Sequence, residues 1–124
     1  MTKPLALIIE DDSRLAEIFS LTLQQEFQVE VIEDGETALA RLAILTPALV
    51  VLDLHLPHIS GKTILARIRE DERLITTRVM LATADAQLAD QLRDNADLVL
   101  LKPISVNQLY DLAMRLRPPD IMLS

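Results

Sequence analysis

Five side chains at the ends of short apolar runs could together receive a phosphoryl group. Glu10 and Asp11 follow residues 5–9, Asp53 follows 48–52, Thr83 follows 78–82 and Lys102 follows 98–101. Carboxylates crowded together repel, and one takes up a proton unless a cation neutralises them. An all-oxygen group with few carboxylates suits Mg²⁺, which keeps several waters and completes its octahedron with phosphate oxygens. Asp53 would then be both metal ligand and nucleophile, attacking phosphorus to give an aspartyl phosphate. Lys102 would add a point charge and Thr83 a hydroxyl donor. This chemistry requires all five residues at one place.

A parallel sheet supplies such a place, because the carboxyl ends of its strands share one edge and ligands bind in the crevice beyond it. The apolar runs and a shorter one at 29–32 read as five strands. The segments between them have helical period. The first helix is predicted from Ser13 to Glu26, with Leu15, Ile18, Phe19 and Leu23 inside and Asp12 or Ser13 as cap. Asp34-Gly35 opens a second helix carrying Ala38, Leu39, Leu42 and Leu45, and a third after Ser60 buries Ile64, Leu65 and Ile68. A fourth, weaker helix covers about 86–94. The fifth starts with Ser105 and Gln108 in capping-box spacing, buries Val106, Leu109, Leu112 and Leu116, and stops at Pro118-Pro119. Five strand-helix pairs with such apolar strands predict a doubly wound α/β domain, a flavodoxin-like three-layer sandwich with sheet order 2-1-3-4-5. Residues 1–119 would form this one domain and 120–124 a tail.

Composition narrows the functions. With 124 residues the chain fits one core, and with two Phe, one Tyr and no Trp that core must be aliphatic and offers no base-stacking platform. A formal charge of -7 argues against direct contact with nucleic acid or a membrane surface and favours protein partners. No cysteine is present, which removes thiolate chemistry and suits a cytoplasmic setting. No uninterrupted apolar stretch approaches the roughly 20 residues of a membrane span.

The stretches LIIEDD (7–12), VVLDLHLP (50–57), SG (60–61), LATAD (81–85) and LLKP (100–103) resemble the receiver domain of two-component response regulators, a CheY-like fold. The resemblance implies that Asp53 is the phosphoacceptor and that Mg²⁺ is bound by Asp11, Asp53, the backbone carbonyl of His55 and, through water, Glu10. It implies that Thr83 bonds the phosphoryl group and Lys102 pairs with the acceptor site. The partners it implies are a sensor histidine kinase or phosphotransfer protein, which donates from phosphohistidine, and a downstream protein target. Such a chain is no enzyme beyond its own phosphorylation and dephosphorylation.

Several positions depart from that pattern or admit simpler readings. Val99 stands where receivers usually carry an aromatic, so no ring can swing inward when Thr83 moves. The segment Asp94-Asn95-Ala96-Asp97 lacks the usual Gly, and Asn95 would be the left-handed helix stop. Leu88, Gln108 and Leu112 replace residues of the salt-bridged dimer face of the DNA-binding subfamily, so a homodimer through helix 4, strand 5 and helix 5 would use an apolar patch of Leu88 and Leu112. Asp12 is read as a helix cap, His55 and His58 as solvent-facing loop residues, and the run Arg67 to Arg73 as a solvated helix end. Two alternatives stand beside the receiver: a degenerate receiver that only docks proteins, and an Asp-nucleophile phosphohydrolase. The hydrolase would need a second acid two residues after the nucleophile, where this chain has His55.

Overall fold

The computed structural model describes residues 3–119. The tail expected at 120–124 lies outside the described residues. Five parallel strands, β1 (Leu5–Ile9), β2 (Gln28–Ile32), β3 (Leu49–Asp53), β4 (Arg78–Thr83) and β5 (Leu98–Leu101), form one sheet in the order β2-β1-β3-β4-β5. Five helices alternate with them: α1 (Ser13–Leu23), α2 (Gly35–Leu42), α3 (Gly61–Glu70), α4 (Ala86–Leu92) and α5 (Val106–Leu116). Short 3-10 turns at Glu72–Leu74 and Arg93–Asn95 follow α3 and α4. The predicted fold class and strand order are therefore observed.

Successive residues of a strand face opposite sides of the sheet, and that alternation divides the core into two layers. Leu7, Ile9, Leu52 and Leu81 pack with Ile64 and Ile68 beneath α2, α3 and α4. Ala6, Ile8, Val51 and Met80 pack with Phe19 and Leu109 beneath α1 and α5. All five β3 residues are buried, as a central strand covered on both faces must be.

Each helix starts on a side-chain cap: Asp12, Asp34, Ser60, Asp85 and Ser105 accept hydrogen bonds from amides of the first turn. Each such cap is worth about 1 kcal/mol. The Asp12 reading holds, since its carboxylate takes the amides of Arg14 and Leu15.

The structure corrects the sequence reading in several places. The first helix ends at Leu23 rather than Glu26, and Ile18 is 42% exposed because Ala16, Phe19 and Leu23 occupy the inward stripe. Val106 is likewise on the outer face of α5 at 49% exposure; Leu109 is buried as expected, and Ala113 joins it. Asn95 does not adopt the left-handed conformation, because a 3-10 turn ends the α4 segment and Ala96 leaves it in extended conformation. Among the described residues only His58 has positive φ, at 68°. Leu88 and Leu112 are half-buried against the two core layers, so they do not form an open patch. Finally, the Arg67 to Arg73 run is more than a solvated end. Arg69 donates to the carbonyls of Asn95 and Thr77 and pairs with Asp97, and Arg73 donates to the carbonyls of Leu42 and Leu45.

Candidate functional site

The carboxyl ends of β1 and β3 are adjacent in the sheet, with Ile9 opposite Leu52, so Glu10 and Asp53 meet one residue further on. Glu10, Asp11 and Asp53 each place a carboxylate oxygen within 4.8 Å of the others. Glu10 and Asp53 are buried, whereas Asp11 is exposed. Among the described residues this is the one group of acidic or histidine side chains dense enough to hold a metal ion.

Glu10 is held on two sides. Its Oε2 accepts from the Asp12 amide at 3.2 Å and its Oε1 accepts from Lys102 Nζ at 2.9 Å. Lys102 Nζ also stands 3.6 Å from Asp53 Oδ2, and Asp53 Oδ1 accepts from the His55 amide at 3.0 Å. Burial pushes the Glu10 carboxyl up, the shared hydrogen bond with Asp53 adds to this, and Lys102 and the Asp12 amide offset only part, so it reaches about 7. For Lys102 burial acts downward, yet Glu10 and Asp53 outweigh it and hold the ammonium above its usual range. One cation is thus shared between two buried carboxylates. That deficit of positive charge, in an all-oxygen set with an exposed third carboxylate, fits a small hard divalent ion such as Mg²⁺.

Thr83 ends β4, one residue beyond the Asp53–Ala82 register pair, and is fully buried. Its Oγ1 accepts from the Asp85 amide at 3.0 Å, which leaves the hydroxyl proton free to be donated. Lys102 follows β5, its amide donates to the Thr83 carbonyl, and the Lys102-Pro103 peptide is cis. The His55 side chain is exposed, with Nε2 at 3.8 Å from Asp85 Oδ2, and His58 is exposed as well. Five of the six residues singled out from the sequence contribute side chains around one edge; His55 takes part through its backbone amide, which donates to Asp53.

Two features were missed. Asp85 positions the Thr83 hydroxyl with its amide while its side chain caps α4, a role foreshadowed only by the cap spacing in Thr83-Ala84-Asp85-Ala86. Gly61 lies so close to Asp53 and Leu54 that a Cβ there would strike the Asp53 carbonyl and the Leu54 Cα. Its amide donates to the Leu54 carbonyl at 3.1 Å, drawing the start of α3 onto the acceptor strand. A glycine in a first helical turn gives no sequence sign of that approach.

Known proteins resemble this chain in sequence and in fold. The family described as response regulator receiver domain matches residues 6–114. The DNA-binding dual master transcriptional regulator RpaA of Synechocystis is 34% identical over 110 residues, covering 86% of this chain and 46% of its own length. The response regulator ArlR of Staphylococcus saprophyticus is 34% identical over 113 residues, covering 88% and 49%. The chain therefore spans about half the length of these curated relatives. The chemotaxis response regulator CheY4 of Vibrio cholerae superposes with a TM-score of 0.84, covering 93% of this chain and 99% of that one, and at 22% identity it shows likeness of fold.

Proposed function

This chain belongs to the response regulator receiver domain family of two-component systems, and from that premise we propose that Asp53 accepts a phosphoryl group from a phosphohistidine of a sensor kinase or phosphotransfer protein. The observation that carries the reading is the meeting of Glu10, Asp11 and Asp53 within 4.8 Å, with Lys102 against two of them.

In the transfer an Asp53 carboxylate oxygen forms a bond to phosphorus as the donor's nitrogen–phosphorus bond breaks, and the electron pair of that bond stays on the donor imidazole. The His55 amide holds Asp53 Oδ1, which fixes the carboxylate so that Oδ2 faces Lys102. Lys102 gives the phosphoryl oxygens a positive neighbour, and Thr83 gives them a hydroxyl proton. A bound magnesium ion, held by Asp11, Asp53, the His55 carbonyl and, through water, Glu10, would offset charge on the transferring group. The chain catalyses only this self-phosphorylation and the later hydrolysis of its own adduct. Signalling follows from the added charge of about -1.5 to -2, which attracts Thr83 and Lys102 and changes which protein surface the loops present. A homodimer through α4, β5 and α5 would bury Leu101 and Val106, the exposed aliphatic side chains there. RpaA is described as DNA-binding; this chain, with its net charge of -7, works through proteins in the cytoplasm rather than by touching DNA.

Incubation with a small phosphodonor and Mg²⁺, followed by intact mass measurement, tests the reading. A lasting gain of one phosphoryl group in the wild type and none in Asp53→Asn supports it. No adduct would favour a degenerate docking domain, and rapid release of phosphate without a lasting adduct would favour a phosphohydrolase.

A further inference from the structure

Helix α4 is fastened unequally at its two ends. Behind its C-terminal end the 3-10 turn Arg93–Asn95 is gripped from α3. Arg69 Nε donates to the Asn95 carbonyl at 2.6 Å, Nη1 donates to the Thr77 carbonyl at 3.1 Å and Nη2 donates to Asp97 Oδ2 at 2.9 Å. One guanidinium thus joins α3, the segment entering β4, the turn behind α4 and the segment entering β5. Asp97 is fixed in turn. Its carboxylate accepts from the Val79 amide at 2.7 Å and from Arg78 at 3.0 Å, and its own amide donates to the Val79 carbonyl at 2.9 Å. Bonds from a charged donor are stronger than neutral ones, and the donors of a planar fork point in fixed directions, so a shift of one partner disturbs the others. Apolar packing adds to the hold, since Ala89 and Leu92 are buried and Ala96 is half-buried against the layer beneath α2 to α4.

The N-terminal end is tied more lightly. Among the described residues its polar tie to the sheet is one hydrogen bond, from the Asp85 amide to Thr83 Oγ1 at 3.0 Å. The bonds from the Leu88 and Ala89 amides to Asp85 lie within the helix and its cap, so they travel with it. Asp85 Oδ2 meets the exposed His55 ring at 3.8 Å, too far for a hydrogen bond. Leu88 is half-buried rather than buried. The lightly held end is therefore the one attached to the Thr83 hydroxyl.

Resting on the reading that Asp53 is phosphorylated and Thr83 bonds the phosphoryl group, we propose that α4 then tilts about its C-terminal end, with Arg69 as the pivot. The pull on Thr83 reaches the first turn of α4, while Asn95 and Asp97 keep their places. The helix has seven residues and is about 10 Å long, so a tilt of about 12° carries its first turn about 2 Å. That movement resets the exposure of Leu88. Thr77 precedes β4 and Thr83 ends it, so Arg69 works far from phosphorus, as a positioning residue.

The probe is beryllofluoride, a phosphoryl mimic, added with Mg²⁺, and the measurement is the distance between paired spin labels. The chain has no cysteine, so labels go only where one is introduced. Ala40 on α2, Gln87 in the first turn of α4 and Asp94 in the turn behind it are all exposed. With Ala40→Cys and Gln87→Cys the mean distance is expected to shift by about 2 Å or more when beryllofluoride binds. With Ala40→Cys and Asp94→Cys it is expected to hold. Adding Arg69→Ala should make the second pair shift or broaden on binding as well. Arg69→Lys keeps a charge for Asp97 and so protects the fold, but it lacks the fork and should show the same spread; urea unfolding checks both variants. Fluorine NMR reports whether beryllofluoride is bound. Bound probe with both pairs shifting in the wild type, with neither shifting, or with the Arg69 variants matching wild type overturns the pivot and leaves the phosphoacceptor reading standing. No bound probe, or binding that persists in Asp53→Asn, overturns that reading and the pivot with it.

Discussion

Glu10 is the residue whose protonation reports on the site. Its pKa of about 7 in the folded, metal-free protein lies above its ordinary 4.5, so the folded state holds that proton more tightly than the unfolded chain does. The stability linked to this group is fully present below about 4.5 and is lost as pH rises through about 7. The neighbouring Lys102, whose pKa is raised above 10.5, does not titrate in that window. Thermal melts without metal are therefore expected to fall between pH 5.5 and 8.5, and Glu10→Gln should flatten the fall. Mg²⁺ competes with the proton, so its apparent affinity should rise as pH increases toward 7 and level off above, which titration calorimetry at several pH values reads directly.

At the scale of elements, α3 owes its position to Gly61 and the lower end of the sheet to Arg69. Gly61→Ala puts a methyl against the Asp53 carbonyl and the Leu54 Cα; relieving that contact by moving α3 is expected to cost about 1–3 kcal/mol and to slow adduct formation at Asp53. Urea unfolding and the intact-mass assay measure the two effects separately. Arg69→Ala removes partners from the carbonyls of Thr77 and Asn95 and from Asp97. Burial pushes the Asp97 carboxyl up, but the Val79 amide, Arg78 and Arg69 together hold it below its usual range, so it favours folding above its unfolded value and loses that contribution as pH falls. The variant should accordingly unfold at a higher pH on acidification, as followed by circular dichroism. These elements also show what the sequence could convey. Strand runs ending in Glu10, Asp53, Thr83 and Lys102 revealed the sheet and its functional edge, because apolar runs and punctuating charges are local signals. The outward placement of Ile18 and Val106, the 3-10 turn at Asn95 and the reach of Arg69 and Arg73 across elements depend on which neighbour wins a contact, and no window of sequence holds that information.

For the whole molecule the question is how a charge added at Asp53 spreads. Val99 is half-buried against the layer beneath α2 to α4, so it offers no ring to rotate. Thr83 is bound to the Asp85 amide, Asp85 caps α4, and Lys102 is bound to Glu10. Pulling Thr83 and Lys102 toward a phosphoryl group therefore disturbs the start of α4 and the turn after β5 first. Beyond the immediate neighbours of Asp53, phosphorylated protein is expected to show its largest amide shifts at residues 83–88 and at 101, 102 and 104. Tyr110, the one tyrosine, on α5 with its hydroxyl 3.4 Å from Glu26, should keep its emission unchanged.

The segment between β3 and α3 is grasped at both ends: Gly61 rests on Asp53 and Leu54, and Gly35 at the start of α2 would meet Ile59 with any added carbon. Its contour length is thus set by two fixed anchors. In a library of random codon insertions and deletions, surviving clones should spare residues 54–60 and accumulate their changes in other connections, so over many generations this stretch would act as a ruler of constant length while the surrounding loops drift.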